Sequence, residues 1–146
     1  MTKIILVFVL YLISIIGFSQ NENSEINKKE NLVSIKAFVN NVSSNNGKVV
    51  FGIYSKEGFL VKPIQSINAV ITERKSSIIF RDMPKGEYSI VCFHDKNENH
   101  KMDFSENGMP LEDYGVSTNN VSFGPPQFEA TKFEVTNKDL TFEIEF

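Results

Sequence analysis

The chain has 146 residues, a formal net charge of -3, and 13 phenylalanines with no tryptophan. This length suits one domain with a single apolar core. Its lysines and arginines are scattered without a basic stripe, which argues against nucleic acid as a partner, because phosphate recognition needs clustered cations.

The N-terminal end has the layout of a signal peptide. Lys3 precedes an apolar run over residues 4–16, which is shorter than the roughly 20 residues of a membrane-spanning helix. Small residues at Gly17 and Ser19 then predict cleavage before Gln20. The mature protein is therefore expected to be exported, periplasmic or extracellular, with no stable membrane span. An uncleaved membrane anchor is the alternative.

Only one cysteine, Cys92, is present, and it lies far from the predicted cleavage site. The chain thus lacks the cysteine of a lipoprotein leader, and a lone thiol cannot form an internal disulfide bond. Its apolar neighbours indicate a small buried side chain. The predicted organisation is a signal peptide at residues 1–19, a flexible polar tether at 20–31 and one β domain at 32–146.

Seven segments of the mature chain have strand patterns. The motif Asn45-Asn46-Gly47 predicts a turn between the first two, and the fifth segment is apolar on both faces, as in a central strand. No amphipathic helix is evident. We therefore expect an all-β, about seven-stranded antiparallel β-sandwich, Ig-like or transthyretin-like, with a small closed barrel as the alternative. The strand segments are residues 32–39, 48–54, 67–72, 76–80, 87–94, 130–135 and 140–146.

The segment 95–126 is rich in Asn, Gly, Asp and Pro, and it begins with oxygen-bearing side chains at alternate positions. A loop of this length in a compact domain usually needs internal order, such as a bound ion. Helix-flanked calcium loops place oxygen ligands at positions 1, 3, 5 and 9, a carbonyl at 7 and a glutamate at 12. The residues at these offsets are Asp95, Asn97, Asn99, Asp103, Lys101 through its carbonyl, and Glu106.

Two features separate this candidate calcium loop from the helix-flanked motif. His100 occupies the position at which glycine normally permits the sharp turn, and the preceding segment has the pattern of a strand. The prediction is therefore a calcium loop on a β scaffold. The alternative is an Asn- and Asp-rich turn that is stabilised by its own side-chain to backbone hydrogen bonds.

Four stretches of sequence carry a family resemblance: FRDMPKGEY at 80–88, HDKNENHKMD at 94–103, GMPLEDYGVS at 108–117 and GPPQF at 124–128. Together they resemble domain-of-unknown-function family 2141, exported bacterial proteins without an assigned activity. The resemblance implies a β-sandwich and leaves the function open. It also implies that Glu112, in the Pro-x-Glu-x-Tyr-Gly segment, is a metal ligand or braces the loop. Glu106 has no counterpart in the family pattern.

No recognised catalytic motif is present, and two histidines six residues apart do not supply the ligands of a zinc site. The leading hypothesis is a non-enzymatic, exported binding or structural module with a calcium-organised loop. A carrier of a small apolar ligand is the runner-up, and a hydrolase using His94, Asp95 and Glu112 is a third possibility. The loop aromatics available to a carrier are Phe59, Tyr114, Phe123 and Phe128.

Overall fold

The computed structural model describes residues 32–120 and 124–146, and the predicted leader and tether lie outside these ranges, as does Phe123. Within them the regular structure is almost entirely β, as the composition and patterning predicted. The elements are β1 (Val33–Val39), β2 (Lys48–Tyr54), β3 (Gln65–Val70), β4 (Ser76–Met83), β5 (Gly86–Asp95), β6 (Tyr114–Val116), α1 (Phe128–Thr131), β7 (Phe133–Val135) and β8 (Leu140–Ile144). Over this part of the chain, no helix has the length and apolarity needed to cross a bilayer.

The strands form two sheets. One sheet has three strands in the order β4-β1-β8, and the other has the order β3-β2-β5-β6. Strand β7 pairs with the first residues of β5, whereas β6 pairs with its second half. The fifth predicted segment is therefore a central strand, with paired neighbours on both sides, as its apolar pattern predicted.

The core lies between the sheets and takes alternate residues from each strand. On β1 the buried residues are Val33, Ile35, Ala37 and Val39, and on β2 they include the fully buried Phe51. Further fully buried side chains come from the other strands, among them Phe80, Ile90 and Ile144. Cys92 is also fully buried, and burial raises the pKa of its thiol, as expected for a small core side chain.

Three details of the expected fold need correction. The described residues form eight strands, because Tyr114–Val116 adds a short strand to β5 that is too brief to leave a pattern in the sequence. Residues 128–131 form the helical turn α1, so the sixth predicted strand, at 130–135, is shortened to Phe133–Val135. The sheets are also not wholly antiparallel, since β1 and β8 pair in parallel. These two strands are distant in sequence, so no tight turn forces them to run in opposite directions.

The candidate calcium loop begins where β5 ends, beside the turn that precedes β2. Asp95, the last residue of β5, is paired with Lys48, the first residue of β2. Gly47 has a φ of 75°, which confirms a turn with positive φ in the Asn45-Asn46-Gly47 motif. A Cβ at Gly47 would overlap the Asp95 carbonyl oxygen. The turn and the end of β5 are therefore packed against each other without space for a side chain.

Candidate functional site

Asp95 anchors the candidate calcium loop. The residue is fully buried, and its carboxylate accepts hydrogen bonds from two backbone amides of the following turn. Asn99 N donates to Oδ1 at 3.1 Å, and His100 N donates to Oδ2 at 2.9 Å. A buried carboxylate satisfied by backbone N–H groups fixes the path of the chain around it.

Three further predicted residues converge beside Asp95, at the Asp103 carboxylate. Asn97 Nδ2 lies 2.7 Å from Asp103 Oδ2, and Asn99 Nδ2 lies 3.0 Å from both Asp103 oxygens. The amide oxygens are used locally, because Asn97 Oδ1 accepts from Asn99 N at 3.1 Å and Asn99 Oδ1 accepts from Lys101 N at 2.9 Å. The side chains at positions 1, 3, 5 and 9 of the loop therefore lie around one small region.

Two residues of the loop have left-handed backbone conformations. Glu98 has a φ of 57° and His100 a φ of 62°, which is unusual for residues with a Cβ. His100 therefore makes the turn at the position where the sequence lacked glycine. Each residue has a partner outside the loop: Lys48 Nζ lies 2.8 Å from Glu98, and Asn68 Nδ2 lies 3.2 Å from His100 Nδ1. The hydrogen bond from Lys48 lowers the pKa of the Glu98 carboxyl.

Glu112 holds the two ends of the loop together. Its carboxylate is largely buried, with Oε1 accepting from Lys96 N at 3.0 Å and Oε2 accepting from Asp103 N at 3.3 Å. This geometry corresponds to the bracing role that the family resemblance allowed.

The structure treats the last two predicted ligands differently. Lys101 is exposed and continues the turn, and among the described residues no donor contacts its carbonyl oxygen. Glu106 lies exposed in the turn that Gly108 N closes onto the Ser105 carbonyl. Over the described ranges, Glu106 forms no hydrogen bond or ion pair with the loop. The structure thus brings together five of the seven predicted residues through side-chain contacts.

A buried histidine near the end of β5 lies beside the loop. His94 is fully buried, and its Nε2 lies 2.7 Å from the Asn46 carbonyl oxygen. Because a carbonyl oxygen only accepts, Nε2 carries a hydrogen, and Nδ1 faces Ser43 Oγ at 3.2 Å. No local pattern marks this contact, since Ser43 is separated from His94 by 51 positions.

Asp113 completes this arrangement. Ser43 Oγ donates to Asp113 Oδ2 at 2.6 Å, and Lys96 Nζ lies 3.2 Å from the same oxygen. The hydrogen bond from Ser43 and the neighbouring Lys96 ammonium lower the pKa of the Asp113 carboxyl, although partial burial opposes them. The residues considered for a hydrolase therefore have separate partners, because His94 contacts Ser43 and Asn46 whereas Asp95 and Glu112 accept from loop amides.

The side-chain oxygens of the loop that could bind a cation belong to carboxylate and amide groups. Across residues 32–120 and 124–146, no group of three or more His, Cys, Asp or Glu side chains is arranged as a metal centre. A cation at this loop would therefore depend on the amide oxygens of Asn97 and Asn99 in addition to its carboxylates. Such a set is hard and oxygen-only, which is the chemistry that calcium prefers and that zinc does not.

The loop aromatics proposed for a carrier are partly engaged in packing. Phe59 contacts Tyr54 with ring centroids 6.0 Å apart and Phe128 with centroids 5.6 Å apart, both edge to face. Phe128 is buried, and Tyr114 is half-buried in β6. The Phe59 and Phe128 rings thus join the loop after β2 to α1.

Fold and site together define a small two-sheet β domain with a polar loop organised around a buried carboxylate at one end. Residues 38–143 match domain-of-unknown-function family 2141, described as an uncharacterized protein conserved in bacteria. The chain belongs to this family, and the resemblance seen in its motifs is confirmed. No curated protein and no solved structure matched the chain.

Proposed function

We propose that this protein is an exported, non-enzymatic β-sandwich module whose loop from Asp95 to Asp103 binds calcium. The observation that carries the proposal is that the Asn97 and Asn99 side chains both lie against the Asp103 carboxylate, with their Nδ2 atoms 2.7 to 3.0 Å from its oxygens. Calcium would take the place of these hydrogen bonds, with each amide turned so that its Oδ1 faces the cation. Asp95 lies at the base of the same turn and the Lys101 carbonyl is a further ligand. This set approaches the six to eight oxygens that calcium takes.

Glu112 acts in this proposal as a brace for the loop. Both of its oxygens accept backbone hydrogen bonds, one from each end of the loop. It therefore holds Asp103 near Asp95 before a cation arrives, which reduces the conformational cost of binding. The exposed position of Glu106 favours solvent contact over ligation.

Calcium would stabilise the folded state for two reasons. The cation offsets repulsion between the Asp95 and Asp103 carboxylates, and a ligand that binds only the native state adds stability in proportion to the logarithm of its concentration. Left-handed backbone at Glu98 and His100 has an energetic cost that the bound ion helps to offset.

The stability of the folded domain should therefore depend on the calcium concentration. We expect the melting temperature of the mature domain to rise on addition of calcium, and isothermal titration to give one site per chain. At a calcium concentration one hundred times Kd, the added stability is about 2.7 kcal/mol. Asp103→Asn should weaken calcium binding at least tenfold, because it removes a carboxylate from the centre of the ligand set.

Glu106→Gln is the matched control, since it removes one negative charge from the same segment at an exposed position. We expect it to leave the calcium affinity within about twofold. Identical melting curves in calcium and in chelator would overturn the calcium proposal. The loop would then be an Asn- and Asp-rich turn that is stabilised by its own hydrogen bonds.

We infer export from the layout of residues 1–19, which is that of a signal peptide. We expect the protein, expressed at full length in a Gram-negative host, to accumulate outside the cytoplasm with Gln20 at its N-terminus. Cell fractionation and N-terminal sequencing check this prediction. Recovery of the intact chain in the membrane fraction would instead support the uncleaved anchor.

A further inference from the structure

A groove lies between the outer face of β1 and the turn that joins β3 to β4. Its volume is about 470 Å³, within the range of small-molecule sites. It is called here the Phe38 groove. The lining residues that bear on its chemistry are Lys36, Phe38, Asn40, Thr72, Lys75 and Ser77.

An aromatic ring forms part of this lining. Phe38 lies on β1 between the fully buried Ala37 and Val39, so the alternation of the strand directs its side chain to the opposite, outer face. Lys36, two residues earlier on the same face, has Nζ 5.7 Å from the ring centroid. The ammonium group lies over one face of the ring as a cation–π pair, and the rest of the partly exposed ring is apolar.

The charge of the groove is opposite to that of the whole chain. Lys36 and Lys75 belong to its lining, which contains no carboxylate, whereas the chain as a whole carries -3. Glu143 is paired with Phe38 on the neighbouring strand β8, but its Oε1 accepts from Asn40 Nδ2 at 2.8 Å. This positive groove on an acidic protein favours an anionic ligand.

The backbone beneath the groove favours a ligand that is recognised by side chains. Strand β1 is the central strand of its sheet, and its hydrogen-bonding groups are used by β4 on one side and β8 on the other. An extended peptide gains much of its affinity by pairing with a free strand edge. Strand β1 does not provide one, and the edge strands β3 and β4 enter the lining only through Val70, Ser76 and Ser77. The groove is lined instead by the hydroxyl groups of Thr72 and Ser77 and by the Asn40 amide, whose Nδ2 donates to Glu143.

We propose that the Phe38 groove binds an acidic oligosaccharide. A sugar ring lies against Phe38, its carboxylate groups contact the ammonium groups of Lys36 and Lys75, and its hydroxyl groups hydrogen-bond to the neutral polar side chains. The proposal does not depend on calcium, because the groove shares no residue with the candidate calcium loop.

Isothermal titration of the mature domain tests the proposal with three probes of similar length: a hexamer of galacturonic acid, a neutral glucose hexamer and hexaglutamate. We expect binding of the acidic sugar and at least tenfold weaker binding of the other two. Phe38→Ala, Lys36→Ala and Lys75→Ala should each reduce the affinity for the acidic sugar roughly tenfold, and Phe38→Tyr should retain it.

Lys62→Ala is the control, because Lys62 is an exposed lysine in the loop between β2 and β3. We expect its affinity to equal that of the unaltered domain. Thermal melts of all variants show whether Phe38→Ala remains folded. If Phe38→Ala does not fold, the two lysine variants and Phe38→Tyr still test the proposal. The proposal is overturned if the acidic sugar does not bind, if hexaglutamate or the neutral hexamer binds equally well, or if the lysine and Phe38 variants bind unchanged.

Discussion

Asp113 has two donors on one carboxylate oxygen. Ser43 Oγ lies 2.6 Å and Lys96 Nζ 3.2 Å from Oδ2, and together they hold the pKa of this carboxyl below its ordinary value. Ser43 also contacts His94, so this single hydroxyl connects the segment before β2 to His94, which directly precedes the candidate calcium loop, and to Asp113.

Removal of that hydroxyl has a pH-dependent consequence. A carboxyl whose pKa is lowered by folding adds stability that is present above its unfolded pKa, about 4, and lost as the pH falls through the folded pKa. We expect Ser43→Ala to lower the urea midpoint at neutral pH, and this deficit to shrink between about pH 5 and pH 2. Because the Asp113 side chain is 41% exposed, solvent screens the interaction and the effect is modest.

Urea titrations of both proteins across this pH range give the measurement. Lys62→Ala serves as the reference for an altered exposed side chain without a contact to Asp113. If Ser43→Ala lowers the urea midpoint by the same amount from neutral to acidic pH, the destabilisation comes from packing alone.

At the scale of elements, the end of β5 and the turn before β2 act as one support for the site. The strand register pairs Asp95 with Lys48, and His94 donates to the carbonyl of Asn46 in the turn before β2. Gly47 lies directly against the Asp95 backbone. The position of the candidate calcium loop is therefore set by a contact between two strand ends, and by the loop's own sequence only in part.

Gly47→Ala tests this support. The residue has a φ of 75°, and an added Cβ would overlap the Asp95 carbonyl oxygen, so the turn and the strand end must separate. We expect a loss of at least about 2 kcal/mol of stability in urea unfolding, together with weaker calcium binding.

Gly108→Ala is the matched control. Gly108 has a similar φ of 78°, but nothing lies within 4 Å of a Cβ built there. We expect only the backbone cost of roughly 1 to 2 kcal/mol and unchanged calcium affinity. Equal losses for the two variants would mean that the contact with Asp95 does not matter.

At the scale of the whole molecule, stability depends on the apolar layer between the two sheets. The chain has one cysteine, so no internal disulfide supports this layer, and packing must supply the stability of the domain. Strand β2 contributes Phe51, which is fully buried among residues from both sheets.

Phe51→Ala should lower the free energy of unfolding by about 3 to 5 kcal/mol, because it removes a buried ring and leaves a cavity. Phe104→Ala is the control for loss of the same side chain at a position that is 59% exposed, and we expect a change within about 0.5 kcal/mol. Chemical denaturation followed by circular dichroism measures both. Comparable losses would contradict a core placed at Phe51.

The local sequence was sufficient for most of the strands and for the residue types of the candidate site. Alternation in residues 32–39 and 140–146 predicted β1 and β8 because one face of each is buried, and apolarity on both faces predicted that β5 is central. The offsets of Asp95, Asn97, Asn99 and Asp103 predicted that they share one turn. These features depend on neighbours within a few residues, so they are recorded in the local pattern.

Only the tertiary structure decided how distant segments meet. The parallel pairing of β1 with β8, the short strand β6 and the contact of Ser43 with His94 join residues that are far apart in the chain. A side chain is selected for such contacts by its three-dimensional surroundings, which leave no periodicity in the sequence. Counting of offsets put Glu106 at a ligand position, and the family resemblance left Glu112 as either a ligand or a brace. The fold shows that the Glu112 carboxylate accepts backbone hydrogen bonds from both ends of the loop.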